Sequence, residues 1–239
     1  FSLVDALTWT GALVYAHRQG GSVAVGVVGF ALLLPGVLVA PIASFSGDRY
    51  HRVRVLVVTY WMLAAGCAVT AIALASGAGP SIVYVAAGVT AMSVTFPRPA
   101  IGALVPAVVG AGHRLTAANV ALGVAQSGAF AVGPAIAGLL LAAGGIVPVY
   151  ACGAALAAVG AVVLTRVPLR QSRPACPMSP MGVRRIHSEV LAGIATVRTD
   201  PAPRIVVVVL GLGALMQGFL EVTVIVVAID VLDRPESFA

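Results

Sequence analysis

Phe45-Ser46-Gly47-Asp48-Arg49-Tyr50-His51-Arg52-Val53-Arg54 is a polar island between two long apolar runs. It puts one acid, Asp48, and three arginines, Arg49, Arg52 and Arg54, into seven residues of a chain in which only 9% are charged. An island of this kind, on a hairpin between two helices that cross a bilayer, marks a cytoplasmic loop.

The flanking runs set the class. Sixty per cent of the 239 residues are hydrophobic and the mean hydropathy is +1.05. Ordinary soluble domains are about 45–50% apolar and about 25% charged, so this chain lacks the polar surface to cover a water-soluble fold. Seven apolar segments stand out, at 1–16, 23–44, 55–76, 81–104, 116–142, 146–165 and 205–229. Their lengths approach the roughly 20 residues that cross about 30 Å of hydrocarbon. The expected fold is therefore all-α and polytopic, with the lipid bilayer as its main partner. Gly20-Gly21-Ser22, Ser76-Gly77-Ala78-Gly79-Pro80 and Gly144-Gly145 are the tight links. The long break is 166–204, with prolines at 168, 174, 177, 180, 201 and 203. Within it Ile186, Val190, Leu191, Ile194 and Val197 recur at helical spacing, which predicts a short amphipathic helix at the membrane surface.

All 14 basic residues are arginine and the net charge is +6. With the first loop outside and strict alternation, Arg49, Arg52, Arg54, Arg98, Arg114, Arg166, Arg170, Arg173, Arg184, Arg185, Arg198 and Arg204 all fall inside. Only Arg18 and Arg234 fall outside. That asymmetry is the positive-inside pattern of a cytoplasmic (plasma) membrane protein, with its start inside and its end outside. It also accounts for the basic pI without a nucleic-acid partner. The absence of a basic leader before 1–16 reads as a span whose cytoplasmic start is cut away rather than as a signal peptide.

Candidate chemistry is sparse. Cys67 and Cys152 lie in apolar runs and Cys176 in a polar loop, with neither metal spacing nor a disulfide framework. His17, His51, His113 and His187 sit in or beside loops without zinc spacing. No catalytic constellation, phosphate-binding loop or cofactor motif is present, so neither an enzyme nor a cofactor or metal site is expected.

Two motifs carry a resemblance. The loop reads Ser44-x-x-x-Asp48-Arg49-x-His51-Arg52-Val53-Arg54, and helix 5 carries Gly128, Gly133-Pro134 and Gly138. The first is similar to the Gly-x-x-x-Asp-Arg-x-Gly-Arg-Arg loop of the major facilitator superfamily. Ser44 and His51 replace glycines, and the last basic residue has slipped to Arg54. The second resembles that family's fifth-helix Gly-Pro motif, typical of exporters and antiporters. Phe96-Pro97-Arg98-Pro99-Ala100, Ala103-Leu104-Val105-Pro106 and Leu115-Thr116-Ala117-Ala118-Asn119 look like an exporter branch related to drug and siderophore efflux. Some relatives in that branch carry a cyclic-nucleotide-binding domain after the transporter; nothing of it is in this chain. The resemblance implies a six-helix bundle at 1–166, a linker at 167–204 and a seventh helix at 205–239 opening a second bundle that is otherwise missing. It implies alternating access by rocking of two bundles, with the Asp48 loop as a latch and a proton gradient driving efflux of a small molecule. Proline removes a backbone donor and bends a helix. Ala125, Ala129, Gly133 and Ala137 form a small-residue stripe that lets a neighbouring helix approach.

Two carboxylates lie inside spans: Asp5, 12 residues before the outer His17, and Glu221, 12 before Asp233. At 1.5 Å per residue both sit about 18 Å deep, near the middle of the bilayer. Acids at that depth usually face a cavity or a partner. Both are candidates for binding a proton or a cationic substrate, with Gln217 one turn from Glu221 and Gln126 on helix 5 as further candidates. Arg98 either snorkels to the headgroups or pairs with a cavity acid or an anionic substrate. Rival readings are a seven-helix receptor or sensor of the same topology, and a transporter fragment without activity.

Overall fold

The computed structural model describes residues 1–49, 52–110, 112–166 and 195–230. Among them there are helices and no strands. They are α1 (Ser2–Arg49), α2 (Arg52–Ala75), α3 (Pro80–Thr95), α4 (Pro97–Val109), α5 (His113–Gly144), α6 (Ile146–Arg166) and α7 (Pro201–Asp230). Of the surface helix expected in the linker, Ile186, Val190, Leu191 and Ile194 lie outside the described residues; Val197 falls within a helical turn at 195–199.

The first two apolar segments are two helical arms within residues 2–49, joined as expected at the glycine link, where Gly20 and Gly21 leave helical geometry, Gly21 at φ +65°. That left-handed conformation suits a residue without a Cβ. The two arms then fold back on each other. Leu13 packs with Val25, and Ala12 with Leu32, so partners pair in opposite order along the chain, as in an antiparallel hairpin.

The fourth segment differs from its reading as one piece. It breaks at Phe96 into α3 and α4. Pro97 and Pro99 have no N–H to give to the carbonyls four residues back, so the helical ladder is interrupted there. Helix α5 runs unbroken through Pro134. It ends on Gly145 at φ +78°, whose N–H reaches the Leu141 carbonyl at 3.0 Å. Helix α7 opens with Asp200 Oδ1 accepting from the Ala202 N–H at 3.1 Å, ahead of Pro201 in the first turn.

Five helical stretches among the described residues are long and apolar enough to cross a membrane: Val53–Ala75, Pro80–Pro106, His113–Gly144, Ile146–Arg166 and Pro201–Val224. The first arm of α1 is the axis around which they pack. Val4, Leu7, Leu13, Val14 and Ala16 are almost wholly enclosed, as are Thr8 and Thr10. A helix apolar all round belongs in an interior. It lies against α3, α5 and α6, while α2 packs most extensively on α6. Large apolar side chains on the outside, such as Trp61, Ile72, Val85, Leu139 and Val163, are the surface that lipid covers.

The buried threonines of this interior are satisfied locally. The Thr8, Thr10, Thr70 and Thr90 hydroxyls donate to the carbonyls four residues earlier at 2.8–3.0 Å. With no water to serve them, buried polar groups must find partners inside the protein. Where helices touch most closely, side chains vanish. A Cβ on Gly160 would stand 2.6 Å from the Tyr60 ring, at the α2–α6 contact.

Candidate functional site

Enclosure of the first arm of α1 carries Asp5 into the bundle. Its Oδ2 accepts from Arg98 Nη2 at 3.2 Å. Arg98 stands in the first turn of α4, just past the proline break, and its guanidinium also lies 5.7 Å over the Phe1 ring. The acid is mostly covered, with 19% of its side chain exposed, while Arg98 is 62% exposed. Of the two fates open to Arg98 in the sequence, pairing with a cavity acid is the one observed.

The pair sits in the wall of a cavity of about 510 Å³. That volume falls within the roughly 300–1,000 Å³ of small-molecule sites. Thr8, Trp9 and Ala12 line it from the first arm of α1, and Leu32, Leu33 and Gly36 from the second. Thr90 and Thr95 come from α3, Phe130 from α5, Tyr150 from α6, and Gln217 from α7. Polar groups therefore converge on an otherwise apolar and aromatic hollow.

Tyr150 fixes one side of it. The residue is buried, and its hydroxyl donates to the Thr8 carbonyl at 3.2 Å. Gly11 makes room for the ring, since a Cβ there would meet Tyr150 Cε2 at 3.3 Å. Trp9 Nε1, also in the lining, is buried without a hydrogen-bond partner among the described residues. A larger groove of about 620 Å³ between α2 and α3 is lined by Met62, Val69, Ile82, Val85 and Val89. Those side chains are exposed and apolar, so the groove belongs to the lipid-facing surface.

The other sequence candidates fall as follows. Gln217 lines the cavity with Asp5 and Arg98. Gln126 is exposed on α5 and is not part of the lining; Phe130, one turn on, is. Gly133 is buried where α5 crosses α1, and Gly138 is buried beside it. Pro134 is half-buried and Gly128 exposed. In the loop, Ser44, Asp48 and Arg49 close α1, and Arg52 opens α2. Their side chains, and that of Glu221 on α7, lie outside the described residues, as do Tyr50 and His51 altogether. Arg54 is exposed at the start of α2. Thr8, Trp9, Phe130 and Tyr150 were not singled out from the sequence. A lone tyrosine within the apolar run 146–165 is the one signal that could have pointed to this wall.

The arrangement is a polytopic helical bundle with an ion pair in the wall of an internal cavity. The profile of the Major Facilitator Superfamily matches residues 2–234, and the chain belongs to that family of membrane transporters. A comparison with curated proteins finds no match to it.

Proposed function

We propose that the chain is a proton-coupled secondary transporter of small molecules, and that the Asp5–Arg98 cavity is where cargo and proton meet. The observation that carries this is the ion pair itself: a mostly enclosed carboxylate, paired with the Arg98 guanidinium, on the wall of a hollow large enough for an organic molecule. Charge inside a membrane is costly and persists where it serves a pathway. Protonating Asp5 removes one half of the pair, and the other half then needs a new partner. That is a two-state element a proton can bias.

In this reading, residues 1–166 form one bundle, 167–204 a linker and 205–239 the opening of the next. Access alternates by movement of one bundle against the other. The crossing of α5 on α1 at Gly133 supports a tight contact at which such movement would be felt beside Asp5. Movement outward is supported by the resemblance of the loop and the α5 motif to exporters. Family membership favours a transporter over a seven-helix receptor.

Inverted membrane vesicles bearing the protein from its full reading frame test the proposal. Proton movement is followed with a pH-sensitive dye while candidate solutes are added. Solute-dependent proton flux that disappears in Asp5→Asn supports it. Flux unchanged in both Asp5→Asn and Arg98→Gln removes the pair from the coupling site.

A further inference from the structure

The two charges of the pair do not present themselves equally. Both line the cavity, but Arg98 is 62% exposed and Asp5 19%, so more of the guanidinium than of the carboxylate is open to an entering molecule. The guanidinium has five N–H donors in a planar fork. Among the described residues its hydrogen bond runs from Nη2 to Asp5, leaving the rest of the fork for a second acceptor. Trp9, Phe130 and Tyr150 line the same cavity. A planar fork in a cavity lined by aromatic rings matches a carboxylate on a flat apolar body.

We infer that the cargo is an amphipathic organic anion, an aromatic or alicyclic carboxylate, that binds Arg98 in place of Asp5. This rests on the reading of the pair as the coupling site and adds the class of ligand. A cation would have to displace the guanidinium from Asp5 and then sit beside it, against repulsion that a low-dielectric cavity strengthens. An anion needs only that Asp5 let go.

The sign of the coupling follows. With Asp5 ionised the pair is neutral, and the carboxylate competes with the incoming anion for one cation. With Asp5 protonated the wall carries a net positive charge and the fork is free. Proton and anion therefore favour each other, and the effect is mutual by linkage. Among the described residues that line the cavity, Arg98 on α4 is the charged group beside Asp5, and Tyr150 on α6 keeps its proton in a hydrogen bond to the Thr8 carbonyl. The lining residues of α3, α5 and α7, among them Thr90, Thr95, Phe130 and Gln217, do not titrate. Ligand and proton then load together, which is co-transport, and here the inference departs from the exchange that the exporter resemblance implies.

Calorimetry on the protein in lipid nanodiscs tests this with three probes of one shape: 1-naphthoate, 1-naphthylmethylammonium and 1-naphthalenemethanol. Naphthoate stays ionised between about pH 6 and about pH 8, since carboxylates titrate near pH 4. Expected is naphthoate binding about tenfold tighter at the lower pH, within the usual range of coupling between sites. Arg98→Gln should abolish it. Asp5→Asn should hold it at the low-pH affinity at every pH, a gain that a damaged fold would not produce. Preference for the ammonium probe, lost in Asp5→Asn and strengthened in Arg98→Gln, overturns the anion while leaving the pair as the site. Binding of no probe, or affinities indifferent to both substitutions, overturns the anion together with the site.

Discussion

Gly133 on α5 rests directly on Ala6 of α1, so closely that a Cβ on the glycine would stand 2.5 Å from the Ala6 Cβ. Ala6 neighbours Asp5 in the chain. The position of the charged pair and the crossing of these two helices are thus one arrangement. Gly133→Ala should destabilise the protein by about 1–3 kcal/mol, the usual cost of an extra methyl in a filled interior. Ala6→Gly added to it should recover most of the loss. Thermal unfolding in detergent of the two single variants and the double variant measures the coupling; additive losses would refute the contact.

Tyr150 contributes through its ring more than through its hydroxyl. Tyr150→Phe loses one hydrogen bond, to the Thr8 carbonyl, and should cost about 0.5–1.5 kcal/mol. Tyr150→Ala empties a buried volume and should cost about 3–5 kcal/mol. Equal melting losses for the two would show that the ring does not fill the interior as described.

The α2–α3 contact gives a third comparison. Thr70 and Thr90 hydroxyls lie 3.4 Å apart, and each also donates to its own helix. Thr90→Val should therefore cost less than about 1 kcal/mol. A Cβ on Gly66 would fall 2.8 Å from Thr90 Oγ1 and 3.3 Å from its Cα. Backbone cannot swing aside, so Gly66→Ala should cost more, about 1–3 kcal/mol. The reverse order in melting temperature would contradict this packing.

Helix order makes a fourth prediction, about sidedness. In a background with Cys67, Cys152 and Cys176 replaced by serine, single cysteines are introduced at helix ends. Arg54→Cys, Arg114→Cys and Arg166→Cys should react with an impermeant thiol reagent from one face of the membrane. Ser76→Cys and Ala143→Cys should react from the other. Arg54→Cys and Arg166→Cys reacting from opposite faces would break the alternation and the arginine asymmetry together.

The all-α, polytopic class was legible because a span advertises itself by length and composition, and neither depends on what packs against it. The Gly20-Gly21 link was legible too, since the chain leaves helical geometry there and the two arms fold back on each other. The break inside 81–104 was less so: Pro97 and Pro99 are visible, but hydropathy alone runs straight through them. Arg98 showed its two possible fates and no choice between them, since 93 residues separate it from Asp5 and spacing says nothing about distance across a bundle. The aromatic wall was hidden for a different reason. In an apolar chain, Trp9 and Phe130 facing a cavity look the same in sequence as Trp61 facing lipid.

The innermost helical arm is also made before its neighbours. During synthesis Asp5 leaves the ribosome 93 residues ahead of Arg98, which at the usual pace of translation is roughly 5–20 seconds. For that interval the acid is without Arg98. The wall of the cavity that this pair builds is therefore completed only after the fourth segment has been made.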